Sequence, residues 1–514
     1  MKRIFFSLLL TILFFYSGQT VYAAELEPEI TSSKDISTSS ITDNSHKTSV
    51  KFNKGDTITI SSTNGTYISG IYISWDSEPM PWTLYTDFGY VSCGVNGFLH
   101  EYITFENPSA SLTIEIPQNN TKIDTIRIFS EGELPADVQV WEPACEKADI
   151  MVISTHADDE ILFMGGVLPT YTYLYNAEIQ VIYLCEFRST NQDVREHEKL
   201  DGLWEAGIRH YPVSGDFTDK YAKDYTAAKK IYKESEVEEF FTEQIRRFQP
   251  QVVVTHDTKG EYGHGAHILV CNTVLEAINH ASNSIYHPDS VQKYGTWDVP
   301  KTYLHLYPEH KIRLDLHIPI EEDYAKRPAI EILKAAYKKH VSQQYCWFYV
   351  SDDYEYSCAD FGLVRSLVGP DTANDLLCNL KTYRAQEEET TLNSLKEQQK
   401  IEEELKQQEE LSNTLTLLQT EQTSLTENLN KLEKQIQEKD ILIQELETSL
   451  NNSENSLAMV SEQLLEKTTE AITYSNEVDS LTQTVYFLKI GFLLICGMFV
   501  GVCSIYLIKK LCKK

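Results

Sequence analysis

The chain has 514 residues, 42% hydrophobic and 11% aromatic, enough to fill two or three cores and too apolar for a disordered chain. A formal net charge of −31 excludes nucleic acid and anionic membrane surfaces as partners, because both would repel it. Ten cysteines without a CxxC spacing exclude a cysteine-built metal module.

The first stretch, "MKRIFFSLLLTILFFYSGQTVYAA", joins a basic start, an apolar run and small residues before Ala24, which predicts a signal peptide over 1–23. Residues 24–50 are rich in Ser, Thr, Asp and Glu and predict a flexible leader. From 51 to 143, alternating runs such as "DTITISS", "GIYISW" and "DTIRIFS" are separated by Gly, Asn, Pro and Asp turns, the pattern of an antiparallel β-sandwich. Its Trp75, Trp82, Tyr85 and Tyr90 either stack on sugar rings, as in a carbohydrate-binding domain, or fill the core.

Between 147 and 380, the β-rich runs "DIMVIS", "EIQVIYLC" and "QVVV" alternate with helical stretches such as "VREHEKLDGLWEAGI" and "SEVEEFFTEQIRRF". That alternation predicts an α/β, Rossmann-like domain with a mainly parallel sheet, whose functional groups gather beyond the carboxyl ends of its strands.

Residues 385–484 contain no Gly or Pro and space Leu411, Leu418, Leu425 and Leu432 seven apart, with Leu415, Leu429 and Ile436 between them. The pattern predicts a coiled-coil stalk of roughly 150 Å that self-associates as a dimer or trimer. "IGFLLICGMFVGVCSIYLI", Ile490 to Ile508, predicts a transmembrane helix, with the basic tail 509–514 in the cytoplasm and the folded domains outside. The expected placement is therefore a single-pass protein of the cell membrane. Cys496, Cys503 and Cys512 lie in or beside that run, and Cys93 with Cys145, or Cys346 with Cys358, are candidate disulfides among the other seven.

The candidate chemistry sits in two clusters, each directly after an apolar strand run. In "THADDE", His156 and Asp159 are three apart and can turn toward one point, leaving Asp158 free between them. In "THDTKGEYGHGAHILV", His264 and His267 are three apart, and glycines let the backbone turn tightly. Imidazole and carboxylate are ordinary zinc ligands, and catalytic sites use three protein ligands with a fourth position open. His156, Asp159 and His267 would make such an open site. His256, Asp257 and Arg188 also lie at strand ends, while His197, His210, His280, His305, His310 and His317 stay unassigned.

These residues resemble the zinc-dependent N-acetylglucosaminyl de-N-acetylases of the PIG-L, or LmbE-like, family over about 147–344. That family's His-Pro-Asp-Asp-Glu motif is similar to His156-Ala157-Asp158-Asp159-Glu160, and its Gly-His-Pro-Asp-His motif to Gly263-His264-Gly265-Ala266-His267. Its Arg- and Glu-rich helix is similar to "VREHEKLDGLWEAG" and its His-x-Ser-Gln helix end to "KKHVSQQ". The resemblance implies Zn2+ on His156, Asp159 and His267, Asp158 as general base, and His264 stabilising the oxyanion or protonating the leaving amine. It implies removal of N-acetyl groups from N-acetylglucosamine-type sugars, and with the expected topology the substrate would be an extracellular glycan. Ala157 for Pro and Gly265-Ala266 for Pro-Asp are the departures, the second removing an acid that could orient the histidines. The alternative reading is a catalytically inactive glycan-binding adhesin that keeps the deacetylase fold as a scaffold.

Overall fold

The computed structural model describes residues 22–34, 36–187, 193–323, 325–444 and 450–511, apart from the side chains of 436–458 and 492–511. Most of the expected signal peptide, Arg188 and the end of the basic tail lie outside the described residues. The chain divides into two compact units, Met1–Arg384 with Leu507–Lys514, and Ala385–Tyr506.

The first unit opens with ten strands: β1 (Glu25–Leu26), β2 (Pro28–Ser32), β3 (Val50–Phe52), β4 (Thr57–Ser62), β5 (Ile68–Trp75), β6 (Trp82–Thr86), β7 (Gly89–Cys93), β8 (His100–Ser109), β9 (Ser111–Glu115) and β10 (Thr121–Phe129). They form two antiparallel sheets, β1-β10-β5-β8 with β3 also on β10, and β2-β4-β9-β6-β7. Alternation puts Ile58 and Ile60 of β4 and Leu112 and Ile114 of β9 into one core with Trp75 and Trp82. Trp75 and Trp82 meet edge to face inside it, while Tyr85 and Tyr90 are 42% and 72% exposed.

The segment expected to be a flexible leader supplies β1 and β2, paired with β10 and β4. Leu26 and Ile41 are buried, and edge pairing asks little more of a polar stretch than its backbone hydrogen bonds.

The α/β part has β11 (Ile150–Ser154), β12 (Ile179–Glu186), β13 (Val213–Thr218), β14 (Val252–Thr255), β15 (Lys301–His305), β16 (Lys311–Arg313) and β17 (Asp360–Ser366). Their order is β13-β12-β11-β14-β15-β17-β16, parallel from β13 to β15 and antiparallel at β17 and β16. Ile150 and Val152 enter a core shared with Leu200 and Leu333, and Met151 and Ile153 one shared with Phe241 and Leu269, so helices cover both faces. Neither candidate disulfide, Cys93 with Cys145 or Cys346 with Cys358, forms.

The heptad segment lies in two helices, Tyr383–Gln444 and Leu450–Leu511. Each has 62 residues, roughly 93 Å at 1.5 Å per residue. Leu418, Leu425 and Leu429 of one line a common cavity with Val460, Leu464 and Tyr474 of the other. Part of the leucine seam is thus covered from within the chain, which costs less entropy than recruiting a second chain.

The expected transmembrane helix is corrected. Among the described residues no helix is long and apolar enough to cross a membrane. The run 490–508 lies near the end of the helix Leu450–Leu511. The single-pass placement with extracellular domains, which depends on that helix, falls with it.

Candidate metal centre

From β11 the chain moves outward to β12 and β13, and from β14 it moves the opposite way to β15. The reversal opens a crevice beyond the carboxyl ends of β11 and β14, the position where open α/β sheets hold ligands. "THADDE" leaves β11 there, and the segment 256–267 leaves β14 beside it.

Three donor atoms meet in the crevice. Asp159 Oδ2 lies 2.8 Å from His156 Nδ1 and 3.1 Å from His267 Nε2, and the two ring nitrogens are 3.3 Å apart. Ligands of a tetrahedral ion bonded at 2.0–2.1 Å lie about 3.3 Å from one another, so this buried triangle fits a metal after small outward shifts. Against its burial, the Asp159 and Glu261 carboxylates raise His267 to about 10. An arrangement that attracts a proton in this way could hold a cation in its place.

Both imidazoles are aimed from behind. Glu261 Oε2 accepts the His267 Nδ1 hydrogen at 2.7 Å, leaving Nε2 for the crevice, and Asp219 Oδ1 lies 3.4 Å from His156 Nε2. Glu261 also bonds His256 Nδ1 at 2.8 Å and His305 Nδ1 at 2.7 Å. Although burial works against it, the His256 ring and the hydrogen bonds from His256, His267 and His305 hold its carboxyl well below the ordinary range. Glu261 therefore orients the histidines where Ala266 cannot. It lies inside the second cluster but carries no spacing signal, and Asp219 and His305 come from other strand ends.

Asp158 adopts φ 112°, a strained value for a residue with a side chain. Glu160 stabilises it by accepting the Asp158 N–H at 2.9 Å, while Oδ1 lies 3.5 Å from the Arg195 guanidinium, which donates to Ala157 O at 2.7 Å. Burial and the Asp159 charge raise the Asp158 carboxyl well above the usual range, with Arg195 opposing them. The His264 ring stands 4.5 Å from that of His267 and 5.0 Å from that of His156, with Nδ1 unpartnered among the described residues. Its burial and the nearby His156 and His267 push it down to about 2, so the ring is neutral.

The two later sequence motifs dock on each other. Glu198 accepts the Ser342 N–H at 2.7 Å and its hydroxyl at 2.5 Å, and a Cβ on Gly202 would stand 2.6 Å from His340 Nε2. They hold the helix Val194–Glu205 that presents Arg195. Gly265 has its own reason: a Cβ there would meet the Asp224 backbone at 2.0 Å, and its N–H donates to Ala222 O at 2.9 Å, which proline could not do.

Residues 151–278 match the family model described as GlcNAc-PI de-N-acetylase, PIG-L. They form a PIG-L domain. A 1D-myo-inositol 2-acetamido-2-deoxy-alpha-D-glucopyranoside deacetylase 2 of Saccharopolyspora erythraea is 28% identical over 176 residues, 30% of this chain and 63% of that protein. A deacetylase of the same description from Geodermatophilus obscurus is 38% identical over 69 residues, 13% of this chain and 22% of that protein. The chain thus spans less than two thirds of the length of these relatives. Among solved structures, the N,N'-diacetylchitobiose deacetylase from Pyrococcus horikoshii aligns with TM-score 0.30 and 16% identity over 38% of this chain and 71% of that one.

Beyond the matched residues an aromatic wall leads out of the PIG-L site. The Phe348 ring lies 4.6 Å from that of Tyr262, whose ring is 5.6 Å from that of His267, and the Trp347 ring lies tilted beside that of Phe348 at 4.0 Å with 60% of the residue exposed.

Proposed function

We propose that the PIG-L domain is a metal-dependent hydrolase that removes the acetyl group from N-acetylglucosamine-type amino sugars. The observation that carries this reading is the triangle of His156, Asp159 and His267 donor atoms with the Asp158 carboxylate beside it. His156, Asp159 and His267 hold the ion, and their nitrogen and oxygen donors suit zinc. Zinc would supply Lewis acidity to the acetamide carbonyl and to water.

Asp158, made more basic by burial and Asp159, accepts the proton of the attacking water, while Arg195 keeps its carboxylate in place. A neutral His264 donates an N–H hydrogen bond to the oxyanion rather than a proton to the amine. Protonated Asp158 then returns its proton to the leaving nitrogen, giving acetate and the free amino sugar. Trp347 and Phe348 offer apolar faces for the sugar ring.

The test is acetate release from N-acetylglucosamine oligomers by the zinc-loaded chain, with Asp158→Asn in parallel and metal counted in both. The variant is expected to keep its metal and lose about 10²–10⁴-fold in rate. A zinc-loaded wild type that releases no acetate from any N-acetylhexosamine would sink the reading. Self-association through the helical unit is a separate part of the proposal, supported by the partly exposed Leu411, Leu418, Leu425 and Leu432, and sedimentation of a monomer would remove it.

A further inference from the structure

Far from any motif, three histidines meet where the sandwich packs on the α/β part. His46 lies between β2 and β3, His100 opens β8 and His197 sits on Val194–Glu205, and one ring nitrogen of each falls within 4.8 Å of the others. The His46 and His197 rings stack at 4.3 Å between centroids, and His100 stacks on both at 5.1 Å.

Their neighbours decide which nitrogens are bare. The Gln139 amide is oriented by Trp141 Nε1, which donates to its oxygen at 2.8 Å, and by Asp201, which accepts from its nitrogen at 2.6 Å. His100 must therefore donate its Nδ1 hydrogen to Gln139 Oε1 at 2.7 Å, and its neutral ring carries a lone pair on Nε2. That atom is 2.8 Å from His197 Nδ1, and His197 Nε2 lies 3.1 Å from Asp124 Oδ2.

Asp124 supplies a second and independent sign. The β10–β5 register shifts between Ile123 and Thr125, a bulge that re-aims the Asp124 side chain. The residue is 1% exposed, and among the described residues neither carboxylate oxygen has a hydrogen bond. The neighbouring Lys122 is committed to Asp76 at 3.0 and 3.2 Å, and Asp201 adds a further carboxylate 3.6 Å from His46 Nε2.

We propose that this seam is a second metal site, binding a divalent transition-metal ion of the zinc class through His46, His100 and His197, with Asp124 as the balancing carboxylate. Imidazole-rich donor sets of this kind suit zinc, nickel or cobalt rather than magnesium or calcium. A polar cleft lined by Asn44, His46, Gln139, Asp201 and Glu205 reaches His46 and gives the ion a way in. Ligands from the sandwich side and from Val194–Glu205 make the ion a clamp between them. The same helix carries Arg195 to Asp158, so the clamp fixes an element of the PIG-L site from its far side.

The experiment counts zinc per chain in the full-length protein after loading and dialysis against metal-free buffer. Wild type is expected to retain two equivalents, Asp159→Asn/His267→Gln one, and His46→Gln/His197→Gln one. His46→Gln alone touches a ring 23% exposed at the cleft, so it should leave the far-ultraviolet circular dichroism unchanged and weaken the seam ion by about 10–100-fold. If Asp159→Asn/His267→Gln retains none, or if the seam variants retain as much as wild type, the proposal is overturned. A single equivalent in wild type that the seam variants lose and Asp159→Asn/His267→Gln keeps would support the seam and count against the PIG-L metal reading.

Discussion

At the crevice between β11 and β14 the buried carboxylates are answered: Glu261 receives three imidazoles and Asp159 meets two, whereas in the seam Asp124 has no hydrogen bond on either oxygen among the described residues. The crevice is assembled within one sheet, since the ends of β11, β13, β14 and β15 bring Asp159, Asp219, Glu261 and His305 together by register alone. The seam exists only when sandwich and α/β part are packed, because His46 and His100 come from one and His197 from the other. A site inside one sheet can be balanced by its own side chains. In the site between two parts, Asp124 is left without such an answer among the described residues.

That contrast can be broken from the crevice side first. Glu261→Ala leaves three buried imidazoles without their shared acceptor and should cost about 3–5 kcal/mol in urea unfolding of the metal-free protein, with Glu261→Gln recovering part of it. A loss below about 1 kcal/mol would mean that these rings are satisfied elsewhere.

The helix Val194–Glu205 joins the two regions, and His340 beneath it gives the next effect. Burial, with the Arg195 charge, holds His340 down to about 3. An unfolded histidine takes up its proton near pH 6.5, so below that pH the unfolded chain binds a proton that the native chain refuses. Stability therefore falls with acid, by about 2 kcal/mol between pH 6.5 and 5, and the loss is complete only below the folded value. His340→Leu should flatten this limb, and an unchanged slope of unfolding free energy against pH would refute the assignment.

The smallest effect concerns the substrate. Trp347→Ala should raise KM several-fold, about 1 kcal/mol, without moving kcat or Tm, because the exposed indole meets ligand and not core. A fall in kcat at unchanged KM would place it in the chemistry instead.

Local pattern made much of the crevice legible. "DIMVIS" and "QVVV" are apolar runs that become adjacent strands, and each hands over directly to a polar cluster, so His156, Asp158, Asp159, His264 and His267 stand out by position and spacing. Glu261 does not, because an acid among glycines reads as a solvated loop, and only three rings closing on it show otherwise. Apolar content misled at both ends. The leader has few apolar residues but lends its backbone to sheet edges, and the heptad leucines meet a helix of the same chain as well as any partner.

The sequence by itself determined the elements and the two polar clusters, because periodicity and composition act over a few residues. Tertiary structure alone decided that Glu261 and Asp219 stand behind the His267 and His156 rings, that Gly265 must lack a side chain, and that His46, His100, His197 and Asp124 share one seam. Glu261 apart, which is six positions from His267, those partners lie tens to more than a hundred positions apart, and only packing sets the distances on which charge and hydrogen bonding depend.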